Sequence, residues 1–312
     1  MKRPGDTTER LSADPATLLR QGAASLGLSL DSSQGRGLLD LGRRILDMNR
    51  TVNLTGARNL ATLVEDHLLD SLSLMPLLRD MRPRVAGGRP RLVDVGSGGG
   101  FPALPLALVL GDLDVVCVES VGKKARALED LCAATGLANV TVVNGRAETA
   151  AHDPRWREQA EWATARGVGS LATVCELALP FLRVGGILLA QKGAEAHAEL
   201  NGALSAIARL GGRAERIVNV GPPRPQQERM VEQDSSEYRL QPAVFPTERR
   251  LKPVLRTKDL RFDSHRTAPG IARECPGRER LVVIVAKIGP TPDGFPRRPG
   301  LPAKRPLKGE KK

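Results

Sequence analysis

Aromatic side chains are scarce in this chain: five Phe, two Trp and one Tyr make up 3% of 312 residues. RNA readers of the RRM or OB type stack unpaired bases on several clustered rings, so this composition argues against them. Cysteine is equally sparse. Cys117, Cys132, Cys175 and Cys275 show no paired spacing, which indicates neither a disulfide framework nor a zinc site, and no metal is expected. Cys117 lies inside an apolar run and reads as a small buried hydrophobe. No apolar run reaches the roughly 18 residues that span a bilayer, and no apolar segment follows the charged opening residues. The expectation is a cytoplasmic chain with no membrane partner.

Basic charge, by contrast, is in excess. Forty-seven Lys and Arg against 35 Asp and Glu give a formal charge of +12. That imbalance favours a polyanionic partner by long-range attraction, although an arginine-rich genome composition produces the same number. A 41% hydrophobic content is enough to bury one full α/β core with appendages.

The most informative stretch is Leu92-Val93-Asp94-Val95-Gly96-Ser97-Gly98-Gly99-Gly100-Phe101. A β-branched run ends in an acid, glycines recur at alternate positions, and an apolar helix-compatible segment follows. Such a strand-turn-helix exposes bare main chain to a ligand and points the first helical N–H groups at it. A dinucleotide fingerprint requires glycine at the sixth loop position, which here is Phe101. Asp94-x-Gly96-x-Gly98-x-Gly100 instead looks like the first motif of Rossmann-like S-adenosylmethionine (SAM) methyltransferases. Glu119 ends the next apolar run, where an acid accepts from ribose hydroxyls in either cofactor class.

Residues 1–82 read as an N-terminal helical cap, with a polar, mobile start to residue 13. Helical patterns run from Asp14 to about Leu30, from Gly37 to Met48 and from about Ala61 to Leu78. A Pro/Gly hinge at 82–90 leads into a Rossmann-like unit over 83–221. Strands are expected near 91–95, 114–118, 139–144, 161–165, 186–191, 214–220 and 280–288. Helices are expected near 101–110, 122–135, 170–182 and 194–210. This alternation predicts an α/β fold with a mostly parallel seven-stranded sheet and helices on both faces, the last two strands being free to pair antiparallel. Residues 222–279 lose periodicity and read as a disordered insert. After a last strand within 280–289 comes a basic Pro-rich tail over 290–312. Residues 291–312 carry seven basic and two acidic side chains, the composition of an extended arm for phosphate backbones, with Arg297 and Arg298 on the substrate side.

Several stretches together resemble one family, the bacterial guanine-N7 methyltransferases of type G that modify 16S ribosomal RNA, also called glucose-inhibited division protein B. They are Asn49-Arg50-Thr51-Val52-Asn53-Leu54-Thr55, His67-Leu68-Leu69-Asp70-Ser71-Leu72, Asp94 to Pro102, and Glu119-Ser120-Val121-Gly122-Lys123-Lys124. Gly145-Arg146-Ala147-Glu148, Arg166, Gly185-Gly186, Lys192-Gly193 and Phe295-Pro296-Arg297-Arg298-Pro299-Gly300 complete the match. Two departures stand out: residues 222–278 are extra, and Gly167 follows Arg166 where the family usually has Ala. The resemblance implies SAM as cofactor and 16S rRNA or the small ribosomal subunit as partner. It also implies that Gly96, Phe101, Glu119, Ala147, Glu148 and Arg166 surround the methyl donor.

On the residues' own chemistry, Gly98 belongs to the donor turn, and Glu148 would accept either from an adenine amino group or from a nearby amide. Arg166, at a strand end, suits a carboxylate or a phosphate and is the expected catalytic positioning residue. His67 and Asp70 share a helix face, where they either line the substrate side or form a packing pair. Lys192 ends a strand on the same rim. No nucleophile or base stands out, and N7 of guanine, with an exposed lone pair and no proton, needs neither. The expected function is SAM-dependent methylation of that N7 in the 530 loop. An NAD-dependent oxidoreductase and a non-catalytic RNA-binding module are the alternatives.

Overall fold

A computed structural model describes residues 14–81, 88–220 and 280–308. The expectations for residues 1–13, for 222–279, for Cys275 and for most of the 82–90 hinge lie outside that set.

Helices α1 (Pro15–Ser25) and α2 (Ser32–Met48) open the cap. The first ends before Leu30 because Gly27 takes a left-handed φ of +69°. The second begins five residues before Gly37, because Asp31 and Gln34 form a reciprocal capping box. The expected single helix over 61–78 is broken into α3 (Leu60–Leu63), a π turn (Val64–Leu68), α4 (Leu69–Leu72) and α5 (Met75–Asp80). Pro76 in the first turn of α5 prevents one continuous ladder.

Strand β1 (Arg91–Val95), helix α6 (Ala103–Val109), β2 (Asp114–Glu119), α7 (Gly122–Thr135), β3 (Val140–Asn144) and α8 (Ala147–Ala150) form the first half of the sheet unit. Then follow β4 (Ala160–Arg166), α9 (Leu171–Ala178), β5 (Leu182–Lys192), α10 (Ala196–Arg209), β6 (Gly212–Asn219), β7 (Leu281–Lys287) and α11 (Leu301–Lys304). The sheet order is β3-β2-β1-β4-β5-β7-β6. Neighbours from β3 across to β5 pair in parallel, and β7 runs antiparallel to both β5 and β6. This is the architecture of the SAM-dependent methyltransferase fold. Chain order reverses between β1 and β4, which opens a crevice over their carboxyl ends.

The two faces of the sheet are covered differently. On one, Leu38, Ile45, Leu68 and Leu72 of the cap pack with Leu104 and Leu106 of α6 and with Leu92 of β1. On the other, Leu171 and Val174 of α9 and Ile207 of α10 pack with Val93, Val116 and Leu188. The cap therefore shares its core with the sheet.

The tail does not form an extended arm over its described part. Thr291, Phe295 and Leu307 are buried, and Arg297 forms a forked ion pair with Glu176, whose side chain has no solvent exposure. Arg157 also donates to the carbonyls of Thr291 and Phe295. Apolar burial and these paired groups outweigh the charge repulsion that an extended chain would relieve.

Candidate active site

The glycine turn sits at the head of the crevice. Gly96, Gly98 and Gly100 adopt φ of +72°, +55° and +88°, a region costly for any side chain with a Cβ. They play different parts. A Cβ at Gly98 would meet nothing nearer than the Gly96 carbonyl at 3.8 Å, so the turn leaves open space there. At Gly99 it would meet the Leu54 carbonyl at 2.6 Å, so that glycine lets the cap lie directly on the turn. The loop that brings Leu54 there is organised by Asn49. Its Oδ1 accepts from the N–H groups of Leu54 and Thr55 at 2.7 and 2.9 Å, and its Nδ2 donates to the Thr55 carbonyl at 2.9 Å.

Two buried carboxylates frame the turn. Asp94 stands opposite Thr164 across the β1–β4 pair, and its Oδ1 accepts that hydroxyl at 2.8 Å while Oδ2 has no partner. Burial pushes the Asp94 carboxyl up to about 6, against the Thr164 hydrogen bond. Glu119 accepts the Gly98 N–H at 2.8 Å and the Val121 N–H at 2.7 Å, which pins the turn to β2. Each of its oxygens keeps a further lone pair. Ala147 and Glu148 follow β3, and both are buried. Of the two acceptor roles open to Glu148, the structure shows the amide: Oε1 takes the Gly300 N–H at 2.8 Å.

Arg166, at the end of β4, is the hub of a second cluster. It donates to Asp70 Oδ2 at 2.7 Å and to His67 Nδ1 at 2.9 Å, and its guanidinium lies 5.4 Å from the Phe101 ring centroid. Burial, then the Arg166 charge, holds the His67 imidazole down to about 4, so it is neutral at pH 7. With Nδ1 accepting from Arg166, the proton is on Nε2, which donates to Thr55 Oγ1 at 2.6 Å. Phe101 itself is buried, and its ring serves this cluster.

Asp70 also accepts from Gln191 Nε2 at 3.1 Å and lies 3.5 Å from Arg280 Nε. No sequence motif singles out Arg280 or Gln191. Arg280 immediately precedes β7, beyond the long aperiodic stretch, and its reach to Asp70 depends on β7 pairing with β5. His67, Asp70, Arg166, Gln191, Lys192 and Arg280 line a cavity of about 670 Å³ over the ends of β4, β5 and β7. Lys192 is paired there with Glu199 at 2.7 Å. Arg298 is exposed and Arg297 half-buried; the latter's ion pair with Glu176 holds it in the tail rather than at this cavity.

Comparison with known proteins shows the family. The profile of the GidB family, rRNA small subunit methyltransferase G, matches residues 34–229. The chain belongs to the rRNA small subunit methyltransferase G family. Among its relatives, the ribosomal RNA small subunit methyltransferase G of Roseiflexus castenholzii is 36% identical over 286 residues, covering 91% of this chain and 97% of the relative. The enzyme of the same name from Dehalococcoides mccartyi strain CBDB1 is 31% identical over 290 residues, covering 92% and 97%. That from Chloroflexus aggregans is 33% identical over 298 residues, covering 95% and 100%. GidB membership makes the chain an enzyme of the methyltransferase class and sets aside both the NAD-dependent oxidoreductase and the non-catalytic module. Among the described residues, no helix is long and apolar enough to cross a membrane, and no cluster of His, Cys, Asp and Glu is placed to hold a metal ion.

Proposed function

We propose that this enzyme transfers a methyl group from SAM to N7 of a guanine in the 530 loop of 16S rRNA, in the cytoplasm. The observation that carries the reading is the division of the rim into two neighbouring parts. One is a bare glycine turn flanked by carboxylates, and the other is a cavity lined by the Arg166 cluster.

The residues present fit SAM. Open space at Gly98 admits a ligand against main chain, and the free lone pairs of Glu119 suit ribose hydroxyls. The second oxygen of Glu148 is an acceptor for the adenine amino group. Arg166 keeps donors beyond those given to Asp70 and His67, enough for a carboxylate. When bound, SAM supplies an electrophilic methyl group with a neutral thioether as leaving group.

The protein's share of the work is positioning. Guanine N7 brings its own lone pair, so no residue needs to remove a proton. His67 is neutral and already hydrogen-bonded on both nitrogens, and is not a base. Holding two reactants in line is worth several kcal/mol, up to roughly 7–11 in favourable cases. Asp70, Arg166 and Arg280 form a mutually paired group that orders the wall of the cavity and offers its spare donors to phosphate or base edges.

Transfer of a labelled methyl group from SAM to small ribosomal particles lacking the modification, followed by nucleoside analysis, tests the reading. The expected product is 7-methylguanosine mapping to the 530 loop. Label in another nucleoside, or none, overturns it.

A further inference from the structure

The turn that carries Glu148 is held from outside the sheet, by the folded-back C-terminal segment. Gly300 donates its N–H to Glu148 Oε1 at 2.8 Å. His152 Nε2 donates to the Pro296 carbonyl at 2.8 Å. Arg157 Nη1 bridges the carbonyls of Ala151 and Phe295 at 3.1 and 2.9 Å. Residues 148–152 are thus tied to 295–300 at three points, one of them through Arg157.

The segment is locked in its turn on α9. Glu176 Oε1 accepts both the Arg297 N–H at 2.9 Å and its Nε at 2.8 Å, and Oε2 accepts Nη2 at 2.6 Å. Thr173 Oγ1 donates to the Pro302 carbonyl at 3.1 Å. Two residues separate the Arg297 anchor from Gly300, whose φ of +78° turns the chain at the point where its N–H meets Glu148. A continuous line of contacts therefore runs from Glu176 through Arg297 and Gly300 to Glu148.

Glu148 Oε2 makes no hydrogen bond to any described residue. We propose that the C-terminal segment sets the purine specificity of the donor site: by occupying Oε1, Gly300 fixes the carboxylate so that Oε2 presents an acceptor, which takes a 6-amino purine and rejects a 6-oxo purine. Arg297 and Gly300 are positioning residues that act through Glu148. The inference rests on Glu148 facing the adenine of the donor, as proposed for the SAM site. Only a carboxylate serves, because the group must accept on both sides. In Glu148→Gln the amide oxygen is taken by the Gly300 N–H, and the NH2 then faces the ligand as a donor.

Calorimetry on the full chain with S-adenosylhomocysteine and S-inosylhomocysteine tests this. The wild type is expected to favour the adenosyl compound by about tenfold or more, the scale of one lost buried hydrogen bond. Glu148→Gln, which keeps every contact of the segment, is expected to bring that ratio to about one or to reverse it. Arg297→Ala is expected to raise amide exchange over 298–304 and to lower the same ratio, because Glu148 is freed to rotate. A wild-type ratio retained in Glu148→Gln, or in an Arg297→Ala chain whose segment has been released, overturns the proposal. If Arg297→Ala fails to fold, Glu148→Gln decides. A wild-type chain that binds neither compound overturns the donor-site reading itself, and this inference with it.

Discussion

His67 and Phe101 lie face to face, with ring centroids 4.7 Å apart and planes 18° from parallel. One ring comes from a π turn in the cap and the other from the first residue after the glycines. Arg166 joins the pair from β4, over the Phe101 ring and onto His67 Nδ1. Cap, glycine turn and sheet therefore meet at one neutral imidazole, so its protonation state bears on all three.

His67 makes stability fall on the acid side. Its ordinary value of 6.5 drops to about 4 in the fold, so between those values the unfolded chain takes up a proton that the native chain refuses. Stability attributable to His67 is expected to decline as pH falls from 6.5 toward 4, at about 1.4 kcal/mol per unit of displacement. Asp94 has the opposite sign: raised from 3.8 to about 6, it costs stability as pH rises through that window. Melting temperatures of wild type, His67→Gln and Asp94→Asn across this range check both. Removing His67 is expected to flatten the acid-side loss, and removing Asp94 to lessen the loss on rising pH.

Asp70 neutralises Arg166 and reaches Arg280. Asp70→Ala leaves two half-buried cations facing each other, and breaking a buried pair costs up to about 3–5 kcal/mol. The expected outcome is a lower melting temperature together with a loss of kcat/KM on small ribosomal particles. Replacing Arg280 as well, with Met, is expected to recover part of the stability, read as a coupling energy in a double-mutant cycle. Strict additivity of the two changes would refute the network.

Gly98 and Gly99 are adjacent but answer to different demands. Gly99→Ala drives a Cβ against the Leu54 carbonyl and is expected to destabilise by about 1–3 kcal/mol, seen as a lower melting temperature. Gly98→Val meets open space, pays mainly for its left-handed backbone at roughly 1–2 kcal/mol, and fills room meant for ligand. It is expected to leave a folded chain that no longer binds SAM by calorimetry. A folded Gly98→Val with wild-type affinity would remove the turn from the donor site.

Arg298 is exposed, and its guanidinium pairs with no described residue, unlike that of Arg297 beside it. Arg298→Gln is expected to reduce the slope of log K against log salt for rRNA binding by about 0.7–0.9, one phosphate contact, and to leave the melting temperature unchanged. An unaltered slope would mean that Arg298 makes no phosphate contact.

Local patterns carried much of this molecule. β-Branched runs marked β1, β2, β3 and β7, the glycines announced a ligand turn, and the missing sixth-position glycine chose between cofactor classes. Each is a short-range rule, so neighbouring residues suffice to state it. The π turn around His67 was not legible, because its geometry answers to packing against α1 and α2 rather than to its own residues.

The charge of the tail was legible as well, but not its use. Seven cations in a Pro-rich stretch describe an arm equally well whether or not one of them has a buried counter-charge. Glu176 lies 121 residues from Arg297, and nothing in either neighbourhood names the other. The same holds for Gly300 and Glu148, and for Arg280 and Asp70. Spacing specified most of the elements, and the resemblance of several short motifs specified the family. Which charges are free for RNA and which are consumed inside the protein followed from strand order and chain reversal, because an ion pair forms through space and leaves no period in the chain.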